Sequence, residues 1–130
     1  QAVEALQIEM GRGDEARQAE LAARKEAVGA AGGPTIISQA VLAIIHFIDH
    51  GMTPAKALGQ ARFHHQWKPN RLLVEKALGQ ATIDELRKMG HTIKVTDSIG
   101  AAQALGLGQA GRPFTGAADP RGRGVFSVTP

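Results

Sequence analysis

Apolar and polar positions change character near residue 28. Before it Ala, Glu, Gln and Arg dominate, large apolar residues thin out after Met10, and Gly11 and Gly13 break the run, so residues 1–27 predict a polar, frayed helical lead-in. From Ile36 to Ile48 apolar residues crowd nearly every helical face, as in a helix buried within a larger body. A flexible turn of Gly29, Gly32 and Gly33 precedes it, Pro34 stands where a first helical residue needs no N–H, and Gly51 is placed to end the helix in the left-handed conformation. Thr53 and Pro54 then cap and begin a second helix, running to about Phe63.

Further on, the short apolar run Leu72, Leu73 and Val74 predicts a strand over 71–76. Thr82 and Glu85 have capping-box spacing, with a helix over 83–89 closed by Gly90. Alternation over 91–96 predicts a strand, and 101–107 with 114–117 a hairpin around the intervening glycines. The sequence LysAlaLeuGlyGlnAla occurs at 56–61 and again at 76–81. Flanking Pro54 and Thr82 set where helices begin, so Gly59 is expected inside a helix and Gly79 in a loop. The fold class is α+β.

Composition narrows the function classes. The chain has 130 residues, enough for one domain of about 100 to 150, and its 43% apolar content is that of a folded protein. Cys is absent, which excludes a disulfide framework, a zinc ribbon and a thiol nucleophile. The longest apolar stretch, broken by Ser38, Gln39 and His46, falls short of the roughly 20 residues that span a bilayer. No signal peptide is visible, and with Gln as the first residue the chain is expected to be a fragment. Net charge is +3, yet residues 1–28 carry six acids against four bases, so the positive charge lies in the remainder. Its bases are dispersed and no aromatic ladder accompanies them, so no nucleic-acid partner is expected.

Four constellations could carry chemistry. His46, Asp49 and His50 put two imidazoles one helical turn apart, but no third ligand can be named and no metal is expected. GlyLeuGlyGlnAlaGly at 106–111 fits a dinucleotide fingerprint literally, but Arg112 and Pro113 follow where a helix would have to receive the pyrophosphate, so no cofactor is expected. ArgPheHisHisGlnTrpLysPro at 62–69 reads as a packing corner whose Trp buries its ring. The turn before Pro34 is the functional candidate, because Gly32 and Gly33 let backbone N–H groups at a helix start approach an anion or a developing oxyanion, the alternative being a glycine joint that only lets a helix pack closely.

Taken in order, GlyGlyPro at 32–34 leading into the apolar helix, IleAspHisGly at 48–51, ArgPheHisHisGlnTrp at 62–67 with Pro69, ValGluLys at 74–76, Gly100 with Gln103, and AlaAspProArg at 118–121 resemble the γ-glutamyltranspeptidase (glutathione hydrolase) family. The resemblance is to the C-terminal part of the small subunit, over about Val28 to Arg121, with residues 1–27 an unrelated extension and 28–130 the family segment.

This resemblance implies an αββα sandwich of the N-terminal-nucleophile hydrolases, in an enzyme that moves the γ-glutamyl group of glutathione to water or an amino acid. It implies a Thr nucleophile freed by autocleavage, an acyl-enzyme, and an oxyanion held by paired glycine N–H groups, here those of Gly32 and Gly33. It implies as partners glutathione or other γ-glutamyl compounds, together with a large subunit or the rest of the small subunit, in a periplasmic or extracellular setting. The chain departs from the family pattern in having neither the nucleophile Thr nor the paired serines upstream of the turn, and in carrying Ala30 and Ala31 where the family has Ser and Pro. It is therefore expected to be inactive alone. The alternative expectation is a noncatalytic interaction module of the same fold, recruiting a partner through residues 1–27 and open strand edges.

Overall fold

Small side chains dictate the first sheet. The computed structural model describes residues 25–107 and 114–122, and in it β1 (Lys25–Ala31) pairs antiparallel with β5 (Ala101–Leu107) along its whole length, from Lys25↔Leu107 to Ala31↔Ala101. The second neighbour of β5 is β6 (Thr115–Ala118), also antiparallel, giving the order β1-β5-β6. The hairpin of β5 and β6 is as expected, whereas β1 replaces the anticipated helical lead-in at residues 25–27 and part of the anticipated glycine turn. Ala and Gly disfavour strands intrinsically, but β5 offers β1 seven residues of backbone pairing, and tertiary context prevails. Residues 1–24 and 108–113 lie outside the described residues, so the remainder of the lead-in and most of the 106–111 glycine motif do too.

Two helices cover one face of this sheet. Helix α1 (Thr35–Ile48), with Pro34 at its N-cap, buries Gln39, Ala43 and Phe47 at i, i+4 and i+8, and Gly51 at φ 60° turns the chain after it. Helix α2 (Pro54–Gly59) is capped by the Thr53 hydroxyl, which accepts from Lys56 N–H at 3.4 Å. Ala43, Phe47, Ala57, Leu58, Ala102, Ala104 and Ala117 form one core, in which the sheet alanines let the helices approach closely. Opposite this packed face of α1, Ile37 is 73% exposed and Val41, Ile44 and Ile48 are exposed too. The expectation of a helix buried all round therefore holds for one face only within the described residues.

Sheet two joins β2 (Phe63–His65), β3 (Leu72–Glu75) and β4 (Ile93–Thr96), antiparallel and then parallel. Helix α2 stops at Gly59, short of the expected Phe63, because Phe63–His65 finds strand partners in Leu72–Val74. Helix α3 (Gln80–Lys88) makes the parallel crossover, and Ile83 packs with Leu72 and Val74 in a second core. The expected Thr82 capping box is not formed. Gly79, at φ 92°, turns the chain out of a 3₁₀ turn at Lys76–Leu78 and starts the helix early, leaving Thr82 inside it and Glu85 paired with Lys88. The two hexapeptide copies do differ: Gly59 ends a helix and Gly79 lies between two. No helix among the described residues is long and apolar enough to cross a membrane.

Candidate functional site

The C-terminal end of β1 and the start of α1 meet in the Gly32–Gly33 turn. Gly32 has φ 135° and Gly33 φ 60°, both in the region that side chains resist. A Cβ on Gly32 would lie 2.5 Å from Thr35 Oγ1, whereas one on Gly33 would meet open space. The carbonyls of the turn are committed: Thr35 N–H and Ile36 N–H donate to Gly32 O and Gly33 O at 3.3 and 3.1 Å, and Thr35 Oγ1 donates to Gly32 O at 2.9 Å. Both glycines are exposed, and neither N–H donates a hydrogen bond among the described residues. Two uncommitted donors on a held backbone can receive an anion.

Beneath the turn lies an ionic network that composition alone does not display. Arg62 precedes β2, Glu75 ends β3, and Asp119 and Arg121 follow β6, so the four charges tie the two sheets together. Arg62, Glu75 and Asp119 are buried at 4%, 1% and 3% exposure, and burial of three charges is tolerated only with full pairing. Arg62 Nη2 meets Asp119 Oδ2 at 2.5 Å, and Arg62 Nη1 donates to Ile99 O at 3.0 Å and to Gln39 Oε1 at 3.3 Å. Arg121 forms a two-pronged pair with Glu75, meets Asp119 at 3.1 Å, and donates to Leu58 O and Gln60 O. Glu75 also accepts from the Arg62 and Ile99 backbone N–H groups, and Asp119 from Ala102 N–H at 2.7 Å. Through Gln39, whose amide donates to Ala31 O at 2.9 Å and Thr35 Oγ1 at 3.0 Å, the network reaches the glycine turn.

Burial pushes the Glu75 carboxyl up, but hydrogen bonds from the Arg121 side chain and from the Arg62 and Ile99 N–H groups outweigh it and hold the group below its ordinary value. Asp119 is likewise held low against burial, by Arg121 and Ala102 N–H groups and both guanidiniums. Carboxyls lowered on folding contribute stability that is complete above their unfolded values of about 4 and is lost as pH falls through the folded values. The urea midpoint of the chain should therefore fall steeply below about pH 4, and Asp119→Asn should give a lower midpoint at pH 7 with a shallower acid decline. Parallel profiles for the two proteins would show that Asp119 is not held in this way.

The other sequence candidates separate. The His46 and His50 rings lie with centroids 5.6 Å apart and planes tilted by 37°, and burial, then the neighbouring His50, lower the His46 imidazole. No group of three or more His, Cys, Asp or Glu side chains able to hold a metal occurs among the described residues. The 62–69 segment is divided rather than packed as one corner. Arg62 enters the ionic network, and buried His64 lies between Ser38 Oγ at 2.7 Å and Gln66 Oε1 at 2.9 Å. Trp67, expected to bury its ring, is 73% exposed with Lys68 Nζ 4.7 Å from the ring centroid. The network itself was missed by sequence reasoning, although Arg62, Glu75, Asp119 and Arg121 all lie in motifs singled out above. The available signal was Glu75, an acid directly following the apolar Leu72–Val74 run, which needs a cation wherever the strand is buried.

Comparisons with known proteins show the family and the fold. A family model described as Gamma-glutamyltranspeptidase matches residues 21–129. The glutathione hydrolase proenzyme of Escherichia coli (strain K12) is 36% identical over 93 residues, covering 72% of this chain and 16% of that protein. A relative of the same name from Pseudomonas sp. (strain A14) is 33% identical, with 18% of its length covered, so the chain spans under a fifth of these relatives. Among solved structures, the gamma-glutamyltranspeptidase of Pseudomonas nitroreducens complexed with L-DON superposes with a TM-score of 0.73 at 29% identity, over 81% of this chain and 55% of that one. An acivicin-inhibited gamma-glutamyltranspeptidase gives a TM-score of 0.69 at 34% identity, over 75% and 54%. The α+β fold is thus that of the N-terminal-nucleophile hydrolases. The family match begins inside the anticipated extension, at residue 21.

Proposed function

We propose that this chain, which belongs to the gamma-glutamyltranspeptidase family, supplies the oxyanion-binding turn of a γ-glutamyl transferase or glutathione hydrolase whose nucleophile comes from elsewhere in the assembled enzyme. The observation that carries the proposal is the Gly32–Gly33 turn, with two exposed N–H groups uncommitted and its carbonyls held. In such an enzyme a Thr hydroxyl attacks the γ-amide carbonyl, its own amine taking the proton, and the carbonyl oxygen gathers negative charge. Fixed N–H donors stabilise that charge without reorganising during the reaction. A donor pair without an activated nucleophile stabilises nothing, and residues 1–28 contain neither Thr nor Ser.

The outward aliphatic face of α1 and the open face of the first sheet support association with the rest of a small subunit and with a large subunit. Isolated exposure of Ile37, Val41, Ile44 and Ile48 would be costly in water, and an αββα sandwich covers such faces. Residues 1–20, outside the family match, are proposed to be dispensable for this role.

The test is a chimera in which residues 21–129 replace the matching segment of the Escherichia coli glutathione hydrolase proenzyme. It should mature and release p-nitroaniline from γ-glutamyl-p-nitroanilide, while the 130-residue chain alone gives no turnover above blank. A matured, folded chimera with no turnover would refute the proposal, and turnover by the chain alone would assign the attack to one of its own residues.

A further inference from the structure

We infer that Gln39 is a positioning residue for the oxyanion turn, acting with Thr35 to fix the two peptide planes that carry the Gly32 and Gly33 N–H groups. This rests on the reading of those N–H groups as oxyanion donors. A trans peptide unit is planar, so a carbonyl and the N–H of the next residue point to opposite sides of one rigid plate. The donor end of an oxyanion site can therefore be aimed from behind, through the carbonyl of the same plate.

Both plates are held that way. The Ala31 carbonyl, which shares its plane with Gly32 N–H, accepts from Gln39 Nε2 at 2.9 Å. The Gly32 carbonyl, which shares its plane with Gly33 N–H, accepts from Thr35 Oγ1 at 2.9 Å. Gln39 Nε2 places its second hydrogen on Thr35 Oγ1 at 3.0 Å, so a single amide governs both plates and uses all of its donor capacity on the turn. A hydroxyl that accepts while it donates is the stronger donor, and a carbonyl that accepts polarises the N–H of its own peptide unit.

Gln39 has one available placement. It is 1% exposed, and its Oε1 accepts from Arg62 Nη1, which Asp119 and Ile99 O anchor in turn. A Cβ on Gly100 would lie 2.0 Å from Gln39 Nε2 and 2.6 Å from Ala31 O, so the bare backbone of Gly100 is the condition for the amide to sit where it does. A glutamine serving only to satisfy a core would need neither the second acceptor nor the glycine opposite it.

The experiment compares Gln39→Leu, Thr35→Val and Thr35→Ser, first in the full 130-residue chain labelled with nitrogen-15. Gln39→Leu and Thr35→Val should shift the Gly32 and Gly33 amide resonances and lower their heteronuclear NOE, while Thr35→Ser, which keeps the hydroxyl, leaves both as in the parent. In the chimera, Gln39→Leu and Thr35→Val should lower kcat at least tenfold with KM within threefold, because a donor aimed at the transition state is lost and ground-state contacts are not. Unchanged Gly32 and Gly33 amides in folded Gln39→Leu overturn the inference. Should that variant fail to fold, Thr35→Val, at a half-buried position, decides by the same criterion. An inactive parent chimera defeats the proposed function, whereas the amide measurements still judge the clamp.

Discussion

Gly33→Val in the chimera is expected to lower turnover about 10²- to 10³-fold, the usual effect of losing one oxyanion donor. The cause is the backbone rather than space. At φ 60° a β-branched residue is strained, although a Cβ at Gly33 meets nothing within 4 Å. The plate carrying its N–H must rotate to relieve that strain. Asn tolerates the left-handed conformation, so Gly33→Asn should keep turnover within about tenfold of the parent. Gly32 obeys a second constraint, since its φ of 135° comes with a Cβ position only 2.5 Å from Thr35 Oγ1. There Ala, Asn and Val should all abolish turnover while leaving the folded core intact by circular dichroism. Equal activity of Gly33→Val and Gly33→Asn would mean that the turn's conformation does not matter to the reaction.

The second large effect is on stability. Glu75→Gln should lower the unfolding free energy by about 3 to 5 kcal/mol, because removing that carboxylate leaves the Arg62 and Arg121 guanidiniums sharing the single carboxylate of Asp119. The carboxylate of Glu75 serves Arg121, Arg62 N–H and Ile99 N–H together, and Arg121 is itself held at Leu58 O and Gln60 O, so no single movement restores the pairing. Glu85→Gln, which breaks a solvent-exposed pair with Lys88, should change stability by less than about 1 kcal/mol. Equal losses from the two substitutions in urea unfolding would show that the network contributes no more than a surface pair.

What the sequence discloses follows from where short-range rules dominate. Pro34, Gly51 and Pro54 act through their own backbones and Thr53 through a hydroxyl bonded only three residues on, and the helix boundaries near them come out as read. Strand β1 is different, because nothing in Lys25–Ala31 specifies a strand until Ala101–Leu107 is present to pair with it. Thr82 shows the opposite failure: its local capping signal is valid, and Gly79 three residues earlier overrides it. The Gly32–Gly33 turn was legible as a turn because adjacent glycines before a proline at a helix start signal a change of chain direction. The clamp behind it was not, since Gln39 lies within an apolar helix and its partners Arg62 and Ala31 lie 23 and 8 residues away in sequence. Contacts of that kind depend on which elements become neighbours, and local pattern rules do not supply that.

Oxyanion binding by Gly32 and Gly33 is probed by inhibition of the chimera with a boronic-acid analogue of the γ-glutamyl group. Its tetrahedral boronate adduct places an oxygen where the negative charge develops, whereas L-glutamate imitates only the ground state. Gly33→Val should raise the inhibition constant of the boronate about 100-fold or more and leave that of L-glutamate within threefold. Equal changes for the two inhibitors, or none for the boronate, would contradict oxyanion binding by the pair.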